Sequence, residues 1–490
     1  MSELRKSDAI VVGGGVSGLV AAAYLARAGK KVLLLEARDK FGGLCESAPL
    51  GEGFSAPLAH LLYALDPRVV KELKLARRGL AFAARDMALV GLRSDGKHIV
   101  IQRDVHATAA NIAVHSQRDA SAWPRFRREL FDLALALRPL WWERNGEQPR
   151  DNVCRRLEHL SRVGAAAWLD SWFETDALKA TLCFDATEGG LSTLEPGSAL
   201  ALVWRAAQEM SGLQGAVAQA QGSSLVNALV AAARAAGAEL RTGARVVEVL
   251  SDGTSIAGIR LETGEIVSAP QVLCSLSRRR TLSDLVLPPA AGIAQGEILA
   301  RSMAPTAQAK VVLAVRGFPA FGGIAVPRAA RFILADRLET YASAEMAARS
   351  GGLASELPME IVLPSVNDAT LAPAGQHIVS LLLRPVPRQP AEGWAKLKPV
   401  LAARAIQAFE RLGSDLSGRI AAADVLTSDD FEKRCYEDPH TNVDRMLAKP
   451  ESRIATPLSG LLLCGADAEP VPAVSGRAAR IAASMITGRK

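Results

Sequence analysis

The chain has 490 residues, 49% of them hydrophobic, which is enough to bury two substantial cores, so two domains are expected. Its formal charge of +7 is spread along the sequence without a block of basic residues and with few aromatics between the Lys and Arg positions. That pattern argues against a nucleic-acid partner, while peripheral contact with an anionic membrane surface is compatible with it. The cysteines Cys45, Cys154, Cys183, Cys274, Cys435 and Cys464 form no C-x-x-C pair and no cluster with histidine, so they read as reduced, mostly buried thiols and no metal site is expected.

Residues 1–6 are polar and carry none of the marks of a secretory signal. The apolar stretch from 9 to 26 is interrupted by Gly13, Gly14, Gly15 and Gly18, so it is not read as a membrane helix, and a cytoplasmic protein is expected. Residues 8–12, DAIVV, read as a short buried strand, and residues 16–28 as a helix rich in Ala and Leu. Between them lies Gly13-x-Gly15-x-x-Gly18. Gly13 permits a tight turn, Gly15 lets a pyrophosphate reach the backbone, and Gly18 lets helix and strand pack closely. The helix start, with Val16 and Ser17, then turns free N–H groups and the positive end of its dipole toward the phosphates. A second strand, 31–35, ends in Glu36, at the spacing expected of an acid that binds a ribose diol.

NAD and FAD share this unit, and the next residues separate them. Glu36 is followed by Ala37 and Arg38, then by the doublet Gly42-Gly43 and Leu44, and a glycine pair there allows a second close approach to the pyrophosphate. FAD, held non-covalently, is therefore expected. The sequence has no second GxGxxG unit and no redox C-x-x-C, so electrons should pass to oxygen or a quinone-like acceptor, or return to the product, and not exchange with bound NAD(P)H.

On these residues the chain resembles the phytoene-desaturase-like branch of the FAD-dependent amine oxidase superfamily, which includes phytoene-dehydrogenase-like proteins and retinol saturase. The resemblance is carried by DAIVVGGGVSGLVAAAYLARAGKKVLLLEARDKFGG, GSSLVNALVAAARAAGAELRTGARVVEV and TPLSGLLLCGADAEPVPAVSGRAARIAASMI. It implies an α/β fold, a glutathione-reductase-like Rossmann FAD-binding domain with an inserted α+β substrate domain. The FAD domain is expected in three pieces, 1–80, 220–290 and 430–490, with the substrate domain at 81–219 and 291–429. The first insertion reads as helical and Trp-bearing, and the second carries strand-like runs such as AKVVLAV and HIVSLLLRPV.

In the middle segment a helix at 224–235 and strands at 239–242 and 245–249 are expected, followed by a hairpin turning at Thr263-Gly264. The resemblance implies that the main chain at Val246 contacts the adenine; an ordinary buried strand valine is equally compatible. In the last segment a strand at 461–464 leads to Gly465 and Asp467, and a helix is expected from Val474. By resemblance Asp467 holds the ribityl or phosphate portion, and Val474 and Ser475 present N–H groups to the flavin N1 and C2 carbonyl. This chain has Pro470 and Pro472 where the family often has a glycine-rich turn.

Flavin supplies hydride chemistry, so the protein must orient, tune and move protons. The resemblance places Lys310 beside a water near flavin N5, against the simpler reading of a strand-end lysine reaching solvent. It places His60 beside the ring, where a half-buried, hydrogen-bonded histidine would also fit. His440, followed by Asp444, resembles a family segment, or is a loop histidine. The pair Trp141-Trp142 reads as core packing ahead of a substrate wall. The implied activity is hydride transfer to or from flavin N5 that oxidises, desaturates, saturates or isomerises a largely apolar, polyene- or lipid-like substrate. A flavin amine oxidase, which needs an aromatic cage that four tyrosines scarcely supply, and a non-catalytic FAD-binding scaffold are the two alternatives.

Overall fold

The computed structural model describes residues 5–142, 151–210, 217–218, 223–287, 305–323, 326–435, 441 and 443–488; the side chains of residues 5, 57, 141, 142, 217, 218, 435 and 444 are outside it. Its first sheet has five parallel strands in the order Glu239–Arg241, Val32–Leu35, Ala9–Val12, Val272–Cys274 and Leu461–Leu463. Ala9–Val12 and Val32–Leu35 are apolar and buried at every position, as a parallel strand covered on both faces must be. The helices Val16–Arg27, Ser223–Ala235 and Arg477–Thr487 belong to the same apolar core. Gly18 makes that packing feasible, because a Cβ there would overlap the carbonyl oxygen of Gly13. The result is the Rossmann-like α/β architecture expected from the glycine motif.

The start of the last helix differs from expectation, whereas the hairpin turning at Thr263-Gly264 is found. The last helix starts at Arg477, not at Val474, because Gly476 takes φ +72° and forms its N-cap. The hairpin strands Val246–Ser251, Ile256–Leu261 and Ile266–Ser268 form a separate four-stranded sheet, closed by Arg5–Lys6.

The second large sheet has seven strands in the order Ile420–Leu426, Thr306–Arg316, Gln376–Pro387, Met359–Val362, Ala330–Leu334, Ala88–Gly91 and Ile99–Ile101. The first insertion is therefore not purely helical, since it lends the last two strands. Gly91 explains why so short a strand fits there: a Cβ would collide with Thr181 on the helix Asp176–Ala186 laid across it. Helices of the first insertion cover one face of this sheet and Trp394–Arg411 covers the other. Trp123, Phe126, Trp168 and Phe173 pack against one another inside the helical lobe, with Trp123 to Phe126 ring centroids 5.9 Å apart. Trp141 and Trp142 end the short helix Pro139–Trp142, but their side chains lie outside the described residues. No described helix is long and apolar enough to cross a membrane. The described cysteines are unbridged, and among the described residues no His, Cys, Asp and Glu cluster could hold a metal.

Candidate cofactor and active site

Two glycine turns meet at the C-terminal edge of the parallel sheet. Gly42 and Gly43 take φ +141° and +56°, conformations open to glycine, and Gly42 N–H donates to the Gly14 carbonyl at 3.0 Å. A Cβ on Gly43 would meet Gly15 Cα at 3.2 Å, so the facing surfaces of both turns are bare backbone. Glu36 is buried beside them, its carboxylate accepting from Gly14 N–H at 2.6 Å and Arg38 N–H at 2.9 Å. Arg38 is held in turn by Glu46, at 2.5 Å.

These groups form one wall of a cavity of about 400 Å³. Gly13, Gly15, Val16, Ser17, Glu36, Ala37, Arg38, Gly42, Gly43 and Leu44 all line it, and Val246 and Val474 line it further along. Its charged lining is four guanidiniums (Arg38, Arg245, Arg280, Arg434) against two carboxylates (Glu36, Asp284). A backbone cradle within an electropositive lining, beside a buried acid, fits FAD: the cradle and arginines would hold the pyrophosphate, Glu36 a ribose, and Val474 the flavin end.

The remaining expected residues sit outside the cavity lining. Gly18 packs helix on strand, and Gly465 packs against the backbone of Ser275. Asp467 Oδ2 accepts from Arg278 N–H at 2.7 Å, tying the C-terminal turn to the helix Arg278–Asp284. The Ser475 hydroxyl bonds Glu469 and accepts from Arg477 N–H at 2.9 Å. Sequence reading missed Ser275, Arg280, Asp284, Arg434 and Ala473. For Ser275 a signal existed, because it follows an apolar strand of a parallel sheet, whose C-terminal ends face the binding crevice.

Lys310 lies inside the strand Thr306–Arg316, between Leu382 and Leu426 on neighbouring strands, and is fully buried, so it does not reach solvent. Its Nζ donates to the carbonyls of Leu58 (3.1 Å) and Ala59 (3.2 Å). Those residues hang on the second glycine turn, since Ala59 N–H donates to Leu44 O at 2.7 Å. Burial pulls the Lys310 ammonium down to about 7. His60 follows in the same loop, with Nδ1 2.9 Å from Ser380 Oγ and Nε2 3.8 Å from Glu360. Burial, reinforced by Lys310, Arg331 and Arg384, holds its pKa well below the usual value, so the imidazole is neutral. Lys310 and His60 thus share one loop. His440 lies outside the described residues, as does the side chain of Asp444.

Behind His60 lies a buried ionic network that sequence reading did not identify. Arg331 bonds Glu360 and pairs with Asp185 at 2.5 Å, Arg384 pairs with Glu188 at 2.9 Å, and the Arg205 guanidinium stacks 3.3 Å over the Tyr63 ring. Burial alone would raise the Asp185 pKa, but Arg331 and Arg205 hold it at about 2. Arginines inside the apolar runs ARFIL and SLLLRPV were the available signal.

Residues 16–306 match the family described as flavin containing amine oxidoreductase. The chain belongs to that family. It is 30% identical to pyridine nucleotide-disulfide oxidoreductase domain-containing protein 2 of Rattus norvegicus, over 98% of this chain and 93% of that one. Shorter matches are a limonene dehydrogenase subunit of Castellaniella defragrans, 36% identical over 26% of this chain and 23% of that one, and all-trans-retinol 13,14-reductase of Rattus norvegicus, 55% identical over 9% and 7%. Among solved structures, putrescine oxidase bound to putrescine aligns with a TM-score of 0.65 at 16% identity, covering 99% of both chains, a likeness of fold. The chain is a FAD-dependent oxidoreductase of this family.

Proposed function

We propose that this flavoenzyme belongs to the phytoene-desaturase-like branch and desaturates, saturates or isomerises a largely apolar, polyene- or lipid-like substrate. The observation that carries this reading is the wall at the flavin end of the cavity. There the lining residues are the aliphatic Ala473 and Val474, anchored by Val471, which is fully buried in the core of the helical lobe. Such a wall offers contact to C–H surface and no ring face to an amine. The ionic network behind His60 is paired within itself, so it calls for no counter-charge on the substrate. The names of the shorter relatives, a limonene dehydrogenase and a retinol reductase, point the same way.

When bound, FAD supplies the hydride acceptor or donor at N5. The protein's part is to keep water out and to handle a proton. Lys310 is suited to the second task because its pKa lies near neutrality and its ammonium already touches the loop that would pass the ring. Neutral His60 contributes a hydrogen-bonding ring and no charge. Each buried methylene is worth about 0.8 kcal/mol, so about ten would contribute roughly 8 kcal/mol before association costs. Electrons would pass to oxygen or a quinone-like acceptor, and the net charge suits peripheral contact with an anionic membrane where such substrates reside.

The test is anaerobic stopped-flow mixing of oxidised enzyme with polyene lipids, simple amines, NADH and NADPH, following loss of flavin absorbance. Bleaching by polyenes is expected. Bleaching by amines alone would move the protein to the amine-oxidase reading, and rapid bleaching by NAD(P)H would overturn the acceptor assignment.

A further inference from the structure

The helix Ser428–Cys435 follows the strand Ile420–Leu426 of the seven-stranded sheet, yet it reaches the cofactor cavity. We propose that it is a clasp across that cavity, in which Arg434 and Arg280 bind the pyrophosphate of FAD and Glu432 acts as the positioning residue that keeps both in place.

The helix is fastened to both walls. On one side Phe431 is buried with Leu58 and Leu426 and packs against Leu44, directly after the glycine pair. On the other, Glu432 Oε1 accepts from Arg279 Nη2 at 2.8 Å and from Arg280 Nη2 and Nε at 2.6 and 3.2 Å, on the helix Arg278–Asp284. Its start is fixed as well. Buried Thr427 donates its N–H and hydroxyl to Asp430 at 2.8 and 2.7 Å, and Lys398 pairs with Asp430 at 2.6 Å.

Between these fastenings Arg280 and Arg434 line the cavity. Arg434 is half-buried and lies 3.6 Å from Asp424, beyond hydrogen-bond length, so that carboxylate leaves its donors available for a closer anion. In FAD the charge resides on the pyrophosphate, and guanidiniums recognise phosphate oxygens through paired donors. One helix thereby touches the strand bearing Lys310, the loop bearing His60 and the cofactor cavity.

The experiment measures FAD release from holoenzyme, by recovery of flavin fluorescence after dilution, in wild type, Arg434→Gln and Glu432→Gln at several salt concentrations, with thermal melts as the folding control. Release about ten- to a hundredfold faster is expected in both variants, and its acceleration by salt should be weaker in Arg434→Gln than in wild type. Unchanged release in either folded variant, or faster release with wild-type salt dependence in Arg434→Gln, would overturn the proposal. Should Arg434→Gln fail to fold, Glu432→Gln, which preserves shape, carries the test.

Discussion

Lys310 Nζ donates to the carbonyl of Leu58 at 3.1 Å across 252 positions of sequence, so the strand Thr306–Arg316 of the seven-stranded sheet holds the loop that carries His60 directly. A fully buried ammonium with a pKa near 7 destabilises the fold while it is protonated.

That gives the first prediction. Below pH 7 both folded and unfolded chains carry the Lys310 proton; between about pH 7 and the ordinary lysine pKa of about 10.4 only the unfolded chain does. Stability should therefore rise with pH above 7 through this group. Lys310→Met should lower that slope between about pH 7 and 8, before the cysteines of the unfolded chain, whose ordinary pKa is about 8.5, lose many protons. Melting temperatures of both proteins across the window check it, and identical slopes would remove Lys310 as the source. Flavin reduction should slow in the same variant while FAD content is retained.

Glu36→Ala should weaken FAD by about ten- to a hundredfold or more, because charge-assisted hydrogen bonds worth roughly 1.5–3 kcal/mol each are lost and Gly14 N–H loses its partner. Titration of apoprotein with FAD measures it. Wild-type protein should release intact FAD on denaturation, and a flavin that stays with the chain would contradict non-covalent binding.

Gly43→Ala places a Cβ 3.2 Å from Gly15 Cα at φ +56°. The strain of a left-handed alanine is on the order of 1–2 kcal/mol, so the fold should survive while the pyrophosphate cradle narrows. The visible-to-ultraviolet absorbance ratio of purified protein should fall sharply, with the melting transition of the apoprotein shifted only by a few degrees.

Arg331→Met strips Glu360 of its guanidinium partner and leaves Asp185 only the more distant Arg205, at 3.6 Å, at a cost of about 3–5 kcal/mol. Denaturant unfolding should show that loss. Adding Asp185→Asn and Glu360→Gln in the same chain should recover part of it, and no recovery would mean that the lost volume, not the unpaired charge, is responsible.

The cofactor half was legible because its chemistry is local. Gly13, Gly15, Gly18, Glu36 and the Gly42-Gly43 pair occupy one stretch of chain, and each answers to a backbone constraint that spacing alone reveals. Arg280 and Arg434 were not legible, since they come to line one cavity only after a strand of the other sheet delivers the helix Ser428–Cys435. The partners of Lys310 were hidden for the same reason, because a lysine in an apolar strand does not disclose which carbonyls lie opposite it. The strand Ala88–Gly91 escaped notice because its pairing with Ala330–Leu334 spans both insertions.

The strand Leu461–Leu463 completes the edge of the nucleotide sheet begun by Ala9–Val12, and the helix Arg477–Thr487 packs in the same core as Val16–Arg27. As the ribosome extends the chain, the N-terminal unit therefore waits with one side uncovered until residues 461–487 have been made. Contacts closing so late and over such separations fold slowly. Throughout that interval the apolar face of Val16–Arg27 that the helix Arg477–Thr487 covers is exposed to misassembly.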